Sequence, residues 1–145
     1  MSVSVSASAT AARSHVTSSI GLAMLITLWI INGLLAVAYL GAGLMKASRP
    51  KSALAASGMG WVEDFSPASV RLIGLSEVLG AIGLVLPLLL GVAPVLTPIA
   101  STALTIVMIG AVVVHARRKE NATPSIVLAI LSAASAILGF IVVFS

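Results

Sequence analysis

Apolar residues in this chain fall into four long runs with scarcely a polar break, at residues 20–46, 67–90, 95–116 and 124–144. Crossing a hydrocarbon core of about 30 Å takes about 20 apolar residues in helical form, and each run is that long. A membrane barrel would alternate polar and apolar positions over about ten residues, whereas these runs are apolar on every side. The expected fold is therefore all-α, an integral membrane four-helix bundle. Residues 1–19, mostly Ser, Ala, Val and Thr with no periodicity, read as a disordered N-terminal tail.

Local chemistry sets the ends of the runs. Ser66-Pro67 and Thr123-Pro124 each offer a hydroxyl at the N-cap followed by a proline whose missing N–H removes no helical bond. Thr97-Pro98 offers the third helix the same start, with Pro94 as a competitor. Pro87 lies inside the second run and predicts a kink or an early end. Ala36-Val37-Ala38 has the form of a signal-peptidase site, but the apolar run continues past Tyr39 and three cations follow, so an uncleaved first span is expected.

Composition sharpens the class. Hydrophobic residues make up 59% and charged residues 8%, against roughly 45–50% and 25% in soluble domains, and mean hydropathy is +1.19. That excludes a soluble globular enzyme and a disordered chain. The absence of cysteine excludes disulfides, thiolate metal sites, iron–sulfur clusters and a CxxC relay. Of the eight Lys and Arg residues, only Arg13 lies on the side of the tail, the second turn and the C-terminus. The other seven flank the two remaining loops, residues 47–66 and 117–123. The positive-inside rule predicts that these loops are cytoplasmic and both termini outside, in the cytoplasmic membrane. The net charge of +4 reads as topology and attraction to anionic lipid. It does not read as nucleic-acid binding, because no aromatic residues interleave a basic surface.

Between membrane helices, close approach at small residues supplies the attraction. Small residues recur four apart at Ala38 and Ala42, Ser76 and Gly80, Ser101 and Thr105, Ser125, Ala129 and Ala133, and Ser135 and Gly139. The short connection through Gly91 predicts an antiparallel hairpin of the second and third spans. No internal repeat marks an inverted-repeat transporter.

Glu77 is the most informative position for chemistry. A helix from Pro67 places it roughly 15 Å along, where insertion of a charge costs about 2.5–3.5 kcal/mol. Its neighbours Gly74, Gly80 and Ala81 are small, so another helix can lie over the carboxylate. Arg71 is on a different face, which leaves Lys46 and His115 as partners. These three residues are candidates for a polar pocket that binds the head of an amphipathic ligand or titrates a proton. The plainer reading is a structural ion pair with His115 as an interfacial residue. Trp61 and Phe65, in the longest loop, suit an interface anchor or a lid over that pocket. Asn32 is expected to hydrogen-bond to a neighbouring helix.

Other chemistries lack their residues. No haem is expected, since His15 is in the tail and only His115 remains, and no three-ligand metal set exists. No nucleotide loop or Ser-His-Asp set is present.

With those residues in view, the chain resembles the DoxX-like family of small four-helix integral membrane proteins. The resemblance is carried by Gly41-Ala42-Gly43-Leu44-Met45-Lys46, by Gly60-Trp61, and by Gly110-Ala111-Val112-Val113-Val114-His115. Its most specific stretch is Arg71-Leu72-Ile73-Gly74-Leu75-Ser76-Glu77-Val78-Leu79-Gly80-Ala81-Ile82-Gly83-Leu84. It implies a small subunit of the kind associated with quinone-linked sulfur oxidation, oxidative-stress complexes or membrane-protein assembly. Lys46 and Glu77 fall on recurring family positions without a catalytic role. The functional expectation is an accessory subunit of a redox-associated membrane complex, with no catalytic activity of its own, binding a quinone or lipid near the buried carboxylate. The alternatives are a structural or assembly factor, and a proton-coupled transporter that would need a homo-oligomer.

Overall fold

In the computed structural model the backbone is described for residues 2–145 and side chains from residue 8 onward. Among the described residues there are five α-helices, α1 (Ser2–Ser48), α2 (Lys51–Ala56), α3 (Pro67–Leu90), α4 (Leu96–Arg117) and α5 (Thr123–Phe144), with a 3₁₀ turn at Gly60–Asp64 between α2 and α3. Four of them, all but the short α2, are long and apolar enough to cross a membrane. They pack in a ring, α1 on α3, α3 on α4, α4 on α5 and α5 back on α1, as an up-and-down bundle.

The interior and exterior are inverted relative to a water-soluble bundle. Leu72, Leu79, Ile106, Ile130 and Ile137 are each more than 60% exposed, while Asn32, Glu77, Thr97, Ser101, Ser132 and Ser135 are almost fully buried. A continuous apolar exterior of this kind suits acyl chains, and polar groups in such an environment must turn inward to find partners. Leu35, Tyr39, Ala81, Leu84, Leu104 and Met108 fill the centre between them.

The helix ends depart from the sequence pattern in three places. The first is the tail: α1 begins at Ser2, where the pattern predicts a disordered segment to residue 19. Met1 lies outside the described residues. Alanines with high helix propensity alternate here with hydroxyl residues, and Ser14, Thr17 and Ser19 return their hydroxyls to carbonyls three or four residues back. Residues 8–23 are exposed throughout.

The second is Pro87, where of the expected kink or early end the early end does not occur. The helix continues to Leu90 and closes on Gly91, whose left-handed backbone (φ 65°) makes glycine the fitting residue. The third concerns the hydroxyl caps. Ser66 accepts a bond from the Ser69 amide at 3.1 Å. Thr97 and Thr123, by contrast, lie inside the first turns of α4 and α5, whose caps are Val95 and Ala122. At α5 the Asn121 side chain takes over, accepting from the Thr123 amide at 3.0 Å.

Candidate functional site

The deepest charged group is Glu77, only 1% exposed at the inner face of α3. The helix lying over it is α1, brought close by two glycines. A Cβ on Gly43 would stand 2.6 Å from the Gly74 carbonyl oxygen, and one on Gly74 would stand 2.6 Å from that of Gly43. This approach lets Lys46, one turn beyond Gly43, fold its stem onto α3. Its Nζ donates to both carboxylate oxygens of Glu77, at 2.6 and 2.7 Å. The pair is well formed and almost dry, so removing either partner alone strands a charge at a cost of about 3–5 kcal/mol.

A cavity of about 300 Å³ opens beside this pair. Ile73, Ile106, Val107, Met108 and Val114 give it apolar walls, and Gly110 and Ala111 keep its α4 side open. Lys46 and Glu77 form its charged end. Trp61 and Phe65 close the loop side, their rings edge to face at a centroid distance of 5.6 Å. Lys46 Nζ also lies 5.7 Å from the Trp61 ring centre, within cation–π range. The cavity thus joins an apolar chamber to a charged end, the form that suits an amphipathic molecule.

His115 belongs elsewhere. Its Nδ1 meets Glu120 Oε2 at 3.0 Å, in a cluster at the loop end that does not line the cavity. Arg118 is the hub of that cluster, with Nε donating to Glu120 at 2.6 Å, Nη1 bridging Asp64 at 2.7 Å and Nη2 reaching Glu63 at 3.4 Å. Those bonds hold the Glu120 carboxyl below its usual range, first through Arg118 and then through His115, and raise the guanidinium further above its own. Glu63 and Asp64 are in the 3₁₀ turn, so Arg118 ties the loop carrying Trp61 and Phe65 to the α4–α5 connection. Gly60 fits this seam because a Cβ there would come within 2.8 Å of Glu120 Oε1.

Asn32 lies in a separate interior network. Its Nδ2 donates to the Leu84 carbonyl at 3.0 Å, and its Oδ1 accepts from Ser135. Ser135 in turn meets Ser101 at 2.8 Å, so one asparagine links α1 to α3, α5 and α4. Tyr39 OH and Ser132 Oγ, 2.8 Å apart, repeat the α1–α5 link nearer the site. The sequence reading missed Tyr39 and the hub role of Arg118. Nothing in a single chain marks a tyrosine as interior, and Arg118 sits in a basic triplet that reads as a stop-transfer block.

Fold and site together define a multi-pass membrane bundle with an interior ion pair at the end of an apolar cavity. The DoxX-like family model matches residues 30–140, most of the chain, and the protein belongs to that family. Lys46, Trp61, Phe65, Glu77, His115 and Arg118 all fall inside the matched stretch. No curated protein and no solved structure matches the chain.

Proposed function

We propose that this protein is an accessory membrane subunit of a redox-associated complex that holds the head of an apolar amphiphile, a quinone or a lipid, against Lys46 and Glu77. The observation that carries the reading is the ion pair itself, standing as the charged end of an otherwise apolar 300 Å³ cavity. Lys46 has three N–H donors, of which Glu77 takes two. The third is free to meet a ligand carbonyl or phosphoryl oxygen while the ring or chain occupies the apolar walls. Trp61 and Phe65 act as the lid. The redox association rests on the family resemblance and adds no chemistry at this chain's residues.

The test is binding of a short-chain quinone and of a lipid, followed by Trp61 fluorescence in a Trp29→Phe background. Quenching that saturates in the parent and is lost in Lys46→Met/Glu77→Leu supports the reading. If Glu77→Gln left ligand retention, partner retention and stability all unchanged, the reading would be overturned.

A structural or assembly role is the second reading, favoured by the four-helix network around Asn32, Ser101 and Ser135. Such a factor would pull down a larger complex yet bind no apolar ligand. The proton-coupled reading loses support from the placement of His115 on Glu120 rather than beside Glu77.

A further inference from the structure

A second pocket lies at the loop end of α1 and α3, separate from the apolar cavity and sharing only Lys46 with it. Its volume is about 180 Å³, and Arg49, Lys51 and Arg71 converge on it across walls made by Pro50 and Pro67. No acidic residue lines it. The chain has four side-chain carboxylates, and each is engaged elsewhere: Glu77 by Lys46, and Glu63, Asp64 and Glu120 by Arg118. Lys51 donates to the Glu63 backbone carbonyl at 3.0 Å, which anchors it at the rim without neutralising it. Three cations therefore face one concavity with no protein anion to balance them.

The depth of this pocket identifies what balances them. Helix α3 has 24 residues, about 36 Å at 1.5 Å per residue, longer than a hydrocarbon core of about 30 Å. Its N-terminal end at Pro67 thus reaches the headgroup layer, and Arg71, one turn further along, reaches the same layer through its long side chain. Leu72, next to Arg71, and Leu44, five residues before Arg49, are 66% and 56% exposed, and both suit acyl chains. An anion arriving here with an apolar tail meets cations at its head and leucines along its chain. We infer that Arg49, Lys51 and Arg71 form a binding site for the phosphate headgroup of an anionic membrane lipid.

The experiment is native mass spectrometry of the full chain in mild detergent, titrated separately with dioleoylphosphatidylglycerol and dioleoylphosphatidylcholine. The parent should retain the glycerol lipid about tenfold or more tightly than the choline lipid. Arg49→Gln/Arg71→Gln should erase that preference, while Arg117→Gln/Lys119→Gln, the same loss of charge at exposed positions outside the pocket, should change it less than about twofold. Arg49→Lys/Arg71→Lys, which keeps the charge, should retain most of the preference, and single Arg71→Gln gives a milder reading should the double variant not fold. No preference in the parent, or equal losses in the two neutralised pairs, would overturn the site. Displacement of the lipid by an equal concentration of glycerol 3-phosphate would overturn the lipid assignment in favour of a soluble phosphate ester. Glu77 is intact throughout, so failure here leaves the quinone or lipid cavity reading standing.

Discussion

Gly43 and Gly74 meet backbone to backbone, each occupying the space in which the other's Cβ would sit, 2.6 Å from the opposing carbonyl oxygen. Lys46 and Glu77 each lie three residues beyond their glycine, so this crossing sets the distance across which the ion pair forms. Neither clash is with the yielding tip of a side chain, so an added methyl has to push the helices apart. Gly74→Ala should cost about 1–3 kcal/mol by overpacking and should lengthen the Lys46–Glu77 contact. Gly33→Ala is the control, since nothing lies within 4 Å of its added Cβ. Thermal unfolding in detergent should separate the two, with Gly33→Ala neutral or slightly stabilising.

The ion pair makes an asymmetric prediction. Lys46→Met leaves Glu77 buried without its counter-charge and should destabilise the protein by about 3–5 kcal/mol. Lys46→Met/Glu77→Leu removes both charges and should recover most of that stability, as buried pairs replaced by apolar residues often do. The two variants part company on function: stability returns in the double variant while ligand retention does not. If retention returned along with stability, the pair would be scaffolding alone.

Much of the bundle was legible because the bilayer imposes coarse rules on sequence. Apolar runs marked the four spans, and Ser66-Pro67 marked the start of α3 by a cap that the structure forms. Glu77 stood out because a carboxylate deep in a span is expensive wherever it goes, and Lys46 was one of two candidate partners in reach. The other, His115, was indistinguishable in sequence. Its direction depends on the turn after α4, where Lys119 adopts φ 56° and brings Glu120 back under the histidine. In the segment before residue 20 hydroxyl residues suggest an unstructured tail, and the structure places Ser14, Thr17 and Ser19 with their hydroxyls bonded back onto their own helix. Small-residue spacing was only a partial guide. Ser135 and Gly139 are buried at the α4–α5 contact, but Ala38 faces outward and the decisive crossing uses Gly43.

Orientation follows from the same seam. Arg118 bonds to Glu63 and Asp64, so the α1–α3 loop and the α4–α5 turn share one end of the bundle, along with Lys46, Arg49, Lys51, Arg117 and Lys119. By the positive-inside rule that end should be cytoplasmic. The chain has no cysteine, so single replacements report cleanly. In intact cells a membrane-impermeant thiol reagent should label Ser145→Cys and spare Ser52→Cys until the membrane is opened. The reverse pattern would invert the topology.

Arg118 should act as a latch on the lid. Its bonds to Glu63, Asp64 and Glu120 hold the 3₁₀ turn, and with it Trp61, against the end of the bundle. Arg118→Gln keeps a polar group but loses the charge and the fork, and should free the loop while leaving the spans folded. Acid should do the same. The Glu120 carboxyl is held below its ordinary range when folded, so its contribution is present in full above that range, near pH 4.3. It is lost as pH falls through the lowered folded value. The latch should therefore hold above the ordinary carboxylate range and weaken as acid carries the pH down through the lowered folded value. Trp61 emission in a Trp29→Phe background should shift to longer wavelength in that acid range. Arg118→Gln should show the shifted spectrum already at neutral pH and respond little to acid. An acid shift of equal size in both proteins would place the titrating group outside the latch.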